Sequence, residues 1–226
     1  MKSLTDEFKM KNAILFGASG FVGSYLLLEL LNDADYGHVT VVVRKPLNID
    51  HPKLTTLIGD YQSLPDLKDK LVADELFIAL GATRKSAPER HEYYRVDHDY
   101  PVLAAKLCRE KGTKSVFLVS TVGANANSRS FYLRTKGETE RDIIALDFEH
   151  IHLFRPSMLM GHRKENRPME KTMIKIWSVI NPIFFGKLNS FRGIDGKDVA
   201  KAMSNAAKYP TEKVKIYHWK EMRNLL

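Results

Sequence analysis

Asn12-Ala13-Ile14-Leu15-Phe16-Gly17-Ala18-Ser19-Gly20-Phe21-Val22-Gly23 is the stretch that decides the fold. Its first five residues are an apolar run, the pattern of a strand buried on both faces of a parallel sheet. Residues 24–31 continue as an apolar helical pattern. Between them the glycines stand at a G-x-x-G-x-x-G spacing, with Ser19 where the middle glycine of G-x-G-x-x-G would sit. In a strand–turn–helix context each glycine has a mechanical task. Gly17 permits the tight turn, Gly20 lets the backbone approach a pyrophosphate at the helix N-terminus, and Gly23 lets helix and strand pack closely. The turn built from Gly17, Ser19, Gly20, Phe21, Val22 and Gly23 is therefore expected to hold a dinucleotide.

Outward from this turn, strands are expected at 38–43, 54–59, 75–80, 114–119 and 150–154, with helices at 64–71, 88–110 and 129–146. The alternation argues an α/β fold, a single doubly wound parallel sheet with crossovers on both faces. Past Gly161 it weakens. Residues 169–180 have helical apolar spacing, read as core, a subunit contact or a substrate lid, and a further helix starts at 195–207. No linker divides the chain, so residues 1–226 are expected as one domain, with 157–226 contributing a small helical lobe on the substrate side.

Open parallel sheets bind ligands at the carboxyl ends of their strands. Arg44-Lys45 ends the second strand, about twenty residues past the turn, where the adenine ribose is read. An acidic residue there would bond a free 2′-hydroxyl and repel a 2′-phosphate. Two cations predict NADP(H) over NAD(H), and one charge-assisted contact of about 1.5–3 kcal/mol is roughly ten- to hundredfold in affinity. Asp60 and Tyr61 stand where they could take the adenine amine and ring, or equally cap the next helix. Leu80-Gly81-Ala82-Thr83 offers small residues that let a cofactor backbone pass. Arg84, Lys85 and His91 follow in a polar segment that could face a substrate. Ser120-Thr121 and Arg155-Pro156 end later strands, and residues 122–130 read as a flexible polar loop.

Tyr132 and Lys136 are four apart and share one helix face. An ammonium beside a phenol favours the phenolate, which makes the two a plausible proton-transfer pair. His98 lies between Asp97 and Asp99 like a fragment of a triad or metal site. Adjacent helical residues do not converge, so helix polarity is the better account and no metal is expected.

Bulk properties exclude several classes. The net charge is +8, from 35 Lys and Arg against 27 Asp and Glu, but the signs are interleaved without a basic block. A nucleic-acid role is therefore not expected, and an anionic small molecule explains part of the excess. One cysteine, Cys108, permits neither an internal disulfide nor a Cys-based zinc site. The longest apolar patch, 174–185, contains Lys175, Asn181 and Pro182 and is too short to span a bilayer. The charged first eleven residues lack an apolar signal core, which makes a cytoplasmic protein the expectation.

Gly17, Gly20 and Gly23 with Ser120-Thr121 and Tyr132-x-x-x-Lys136 resemble the short-chain dehydrogenase/reductase superfamily, in its extended or atypical branch. A nearer resemblance is to the HIV Tat-interacting protein oxidoreductases and their bacterial relatives. It is carried by Leu80-Gly81-Ala82-Thr83-Arg84, Arg95-Val96-Asp97-His98-Asp99-Tyr100, Tyr132-Leu133-Arg134-Thr135-Lys136-Gly137-Glu138 and Phe154-Arg155-Pro156. The resemblance implies a Rossmann-type fold, NADP(H) binding and Tyr132 as acid/base. It also implies that Lys136 binds the nicotinamide ribose and that Thr121, with Ser120, polarises the reacting oxygen. Near Val96-Asp97 the extended branch usually carries an asparagine, and here an aspartate stands. The short C-terminal part argues against a large nucleotide-sugar pocket.

The function expected is NADP(H)-dependent oxidation or reduction of a small carbonyl or alcohol, by a monomer or homodimer. The alternatives are a redox sensor with little turnover and a nucleotide-sugar epimerase or dehydratase. The first would need no proton donor, and the second would show no net change of cofactor.

Overall fold

The computed structural model describes residues 10–82, 87–161 and 186–226, with the side chains of 186–188 excepted. The expectations for Thr83, Arg84, Lys85 and the apolar face at 169–180 fall outside those residues. Strand β1 (Lys11–Phe16), helix α1 (Phe21–Asn32), β2 (Tyr36–Val43) and β3 (Leu54–Ile58) open the fold. A 3-10 segment (Leu64–Lys70), rather than an α-helix, leads to β4 (Glu75–Ile78). Then come α2 (Arg90–Tyr94), a π-helical segment (Arg95–Asp99), α3 (Tyr100–Glu110), β5 (Ser115–Val119), α4 (Phe131–Ala145) and β6 (His150–Phe154). The chain goes on through β7 (Leu159–Met160), a 3-10 segment (Gly186–Phe191), β8 (Ile194–Asp195), α5 (Gly196–Lys208), β9 (Val214–Tyr217) and α6 (Trp219–Arg223).

Seven strands form one sheet in the order β3-β2-β1-β4-β5-β6-β9, every neighbouring pair parallel. This is the doubly wound α/β fold expected. The continuous apolar runs of the central strands follow from having cores on both faces. Ala13 and Leu15 of β1 pack with Phe117 of β5 and with α1 and α5 on one face. Ile14 and Phe16 pack with Val116, Leu118 and α3 on the other.

The C-terminal region differs from the expected substrate-side lobe. α5 lays Val199, Ala200, Ala202, Met203 and Ala206 into the same core as α1, and β9 completes the sheet beside β6. Its small side chains let two helices share that face. Among the described residues, only the part before α5, with the two-stranded β7–β8 pair, stays off the main sheet. β9 escapes a sequence reading because it is a short edge strand with Val214 and Ile216 exposed.

Candidate functional site

The glycine turn is built as its spacing requires. Gly17 has φ of +89°, and a Cβ there would stand 2.5 Å from the Ala79 carbonyl oxygen at the end of β4. Gly23 makes its close approach to the turn, for a Cβ would meet the Gly17 carbonyl oxygen at 2.0 Å. Gly20 is the N-cap of α1, and its N–H donates to the Gly17 carbonyl at 2.9 Å. No side chain caps that N-terminus and no acidic residue occupies its first turn. The positive end of a twelve-residue helix therefore faces the turn with neither a capping side chain nor an acidic residue of its own first turn. Val22 is buried and Ser19 exposed. The Phe21 ring fills the space above Gly161 and Gly196, so this side chain packs α1 against the C-terminal elements.

At the far end of the edge, Arg44 and Lys45 are exposed beyond β2. The Asp60 carboxylate accepts from the backbone N–H groups of Gln62 and Ser63 (3.1 and 3.0 Å) and from the Ser63 hydroxyl (2.9 Å). Those Ser63 bonds hold its acid below the ordinary carboxylate range. One Asp60 oxygen thus caps its own turn. Tyr61 lies edge-on to Tyr100, ring centroids 6.2 Å apart.

At the near end, Ser120 and Thr121 leave β5 with both residues buried. The Ser120 backbone N–H is spent on Phe154, but its hydroxyl has no partner among the described residues. Leu80 and Gly81 follow β4 on the same edge, Gly81 exposed with open space at its Cβ position. On α4 Tyr132 is 43% exposed, whereas Lys136 one turn on is buried. Buried cations need a partner. Asp97, 1% exposed, supplies it at 2.6 Å from the Lys136 ammonium. Burial alone would push the Lys136 acid constant down. The Asp97 carboxylate, helped by Tyr132 and Glu140, outweighs that and raises it. The other Asp97 oxygen accepts from the Ala82 backbone N–H at 2.5 Å, and its carbonyl accepts from Thr139 at 2.8 Å.

Asp97 is the partner of Lys136 that spacing arguments missed. It lies in the π-helical segment, where an extra residue re-aims side chains, a feature frequent at functional sites. The only signal in the sequence was an aspartate where the resembled branch has asparagine. His98 also converges on partners after all: its ring nitrogens lie 2.9 Å from Asp99 and 2.9 Å from Asp142 of α4.

Two further residues expected at the cofactor have protein contacts of their own. The Arg155 guanidinium makes a two-pronged ion pair with buried Glu140, the Nε contact at 2.9 Å. Glu140 lies one turn past Lys136, and a buried carboxylate claims the nearest cation. Pro156 is buried, and its carbonyl receives the Val122 N–H at 2.9 Å. The polar loop 122–130 is fastened rather than loose. Asn125 donates to the Leu133 carbonyl at 3.1 Å, Ser128 donates to the Asn125 carbonyl at 2.9 Å, and the loop backbone lies directly over Gly137.

The glycine cradle, the uncapped α1 terminus and the unpaired Ser120 hydroxyl lie on one edge and fit a dinucleotide: room for backbone-close phosphates at one end, polar groups at the other.

Comparison with known proteins gives the same picture. Residues 17–174 match a family described as NAD(P)H-binding. Protein FMP52, mitochondrial, of Kluyveromyces lactis is 35% identical over 222 residues, 95% of this chain and 98% of that protein. The protein of that name in Saccharomyces cerevisiae is 33% identical over 69% of each chain. Among solved structures, MoeE5 in complex with UDP-glucose and NAD superposes with a TM-score of 0.68 at 21% identity, covering 93% of this chain and 79% of that one. The UDP-N-acetylglucosamine 4-epimerase of Methanobrevibacter ruminantium M1 gives 0.69 at 22%, covering 92% and 76%. The relatives named mitochondrial overturn the cytoplasmic expectation. That expectation rested on a missing apolar signal core, which speaks against secretion only. Mitochondrial import reads amphipathic, basic segments instead.

Proposed function

This chain belongs to the NAD(P)H-binding family, and from that premise we propose that it is an NADP(H)-dependent oxidoreductase of the short-chain type. The substrate is a small carbonyl compound or the corresponding alcohol. The finer kinship with the HIV Tat-interacting protein oxidoreductases is part of the proposal. So is a mitochondrial location, which rests on the names of the relatives and would be read by fractionation.

The observation that carries this reading is the pairing on α4. An exposed Tyr132 stands one turn from a buried, charged Lys136, on the sheet edge that bears the glycine turn. The turn from Gly17 to Gly23 and the α1 N-terminus would hold the pyrophosphate, and Arg44 with Lys45 a 2′-phosphate. Lys136 would reach the nicotinamide ribose. The bound nicotinamide supplies or takes up the hydride. Tyr132 gives a proton to the carbonyl oxygen in reduction and removes it in oxidation. The hydroxyls of Ser120 and Thr121 donate to the oxygen as negative charge develops, and their burial strengthens that contact.

Positioned acid–base chemistry contributes about 10²–10⁴-fold. Tyr132→Phe is therefore expected to cut turnover of a panel of aldehydes, ketones and quinones by that factor while NADPH still binds. Full activity of the variant on every reducible compound would remove Tyr132 from the role. Product change without net cofactor change would point to epimerisation instead.

A further inference from the structure

Three elements meet at one buried carboxylate. The π-helical segment carries Asp97, whose oxygens take the Lys136 ammonium of α4 at 2.6 Å and the Ala82 N–H of the β4 loop at 2.5 Å. Thr139, one turn past Thr135 on α4, donates to the Asp97 backbone carbonyl and so ties the same helices again. An asparagine, with one acceptor oxygen, would set its NH2 against the ammonium or the Ala82 N–H, whereas a carboxylate accepts from both and cancels the charge. Among the described residues, the other charges near Lys136 do little to change the local sum. Glu140, on the same helix, is matched by Arg155, and Tyr132 is exposed. The catalytic end of the site thus presents a lysine with its charge offset.

That matters for a ligand whose two forms differ by one positive charge. Oxidised nicotinamide carries a positive ring and reduced nicotinamide does not. Resting on the NADP(H) reading above, we propose that Asp97 is a positioning residue that offsets Lys136, so that the site tolerates the oxidised, positively charged ring. Without Asp97 the Lys136 ammonium repels that ring. At an effective dielectric of about 20, an uncompensated unit charge at close range corresponds to roughly tenfold or more in affinity.

The test is affinity rather than turnover. NADP⁺, NADPH and adenosine 2′,5′-bisphosphate, which lacks the nicotinamide half, are titrated calorimetrically into wild type and Asp97→Asn. The variant is expected to weaken NADP⁺ about tenfold relative to NADPH and to leave the bisphosphate within twofold. The double variant Asp97→Asn with Lys136→Met, again without net charge, is expected to weaken both nucleotides and return their ratio to the wild-type value. Should Asp97→Asn not fold, Lys136→Met against the double variant reads the same charge with opposite sign. Equal weakening of NADP⁺ and NADPH in Asp97→Asn would reduce Asp97 to a structural strut, and an unchanged ratio would overturn the proposal as well. Wild type that binds neither nucleotide would instead bring down the NADP(H) reading, and this proposal with it.

Discussion

Replacing Gly137 by alanine sets two opposing terms against each other in the middle of α4. Helix propensity alone favours alanine by about 1 kcal/mol. Packing opposes it, because the new Cβ would stand 2.2 Å from the Ala126 nitrogen and from the Asn125 carbonyl carbon. Both are backbone atoms and cannot swing aside. Reaching ordinary contact at 3.4 Å requires loop 122–130 to retreat by about 1.2 Å. Retreat stretches the 3.1 Å bond from Asn125 to the Leu133 carbonyl. Overpacking of this kind costs about 1–3 kcal/mol and a lost hydrogen bond about 0.5–1.5. Set against the propensity gain, Gly137→Ala should be destabilising by about 2 kcal/mol. At about 2–4 °C per kcal/mol for a chain of this size, the melting midpoint falls about 4–8 °C. Urea unfolding with matched m-values and thermal scanning measure both figures. A variant stabilised by about 1 kcal/mol would mean that the loop does not rest on the helix, and would refute the packing argument.

Arg44→Glu is expected to abolish the extra thermal stabilisation by NADP(H) while leaving that by NAD(H) intact; equal stabilisation of wild type by both would refute the 2′-phosphate argument, since ligand stabilisation follows affinity. His152 offers a test in acid. Burial first, then repulsion by His150 and Lys215, pushes its acid constant down to about 4. The folded state thus binds this proton less readily than the unfolded chain, whose histidine titrates near 6.5. Its contribution is present above about pH 6.5 and is lost as pH falls toward 4, by about 3 kcal/mol at most. His152→Phe should therefore lose less stability between pH 7 and 4 than wild type in denaturant titrations, and an equal loss would contradict the assignment.

The sheet was legible because parallel strands buried on both faces are written as unbroken apolar runs, and β1, β2 and β5 are such runs. The glycine turn was legible because only glycine meets its steric demands at Gly17 and Gly23. What escaped depended on contacts between distant segments. The pairing of Arg155 with Glu140 joins a strand end to a helix fifteen residues earlier. The bond from the Ser63 hydroxyl to Asp60 depends on a turn geometry that composition does not specify. The composition of loop 122–130 predicts flexibility, and its fastening by Leu133 and Gly137 lies in another element. The argument that residues adjacent to His98 cannot converge assumes regular helical spacing, and regular spacing is what the π-helical segment around Asp97 breaks.

That segment has a consequence for how the chain can vary. A π turn is an α-helix carrying one residue more than its neighbours' bonding pattern needs. Deleting a single residue between Arg95 and Asp99 would let the helix from Arg90 to Glu110 run as continuous α-helix. Everything on one side of the deletion would turn by about 100° relative to the other. Asp97 or its replacement would then leave the axis of Lys136, although no residue type at the site had changed. The electrostatics of the site are thus encoded in length as much as in identity. Indels here, which alter no motif, would be the mutations to which it is most sensitive.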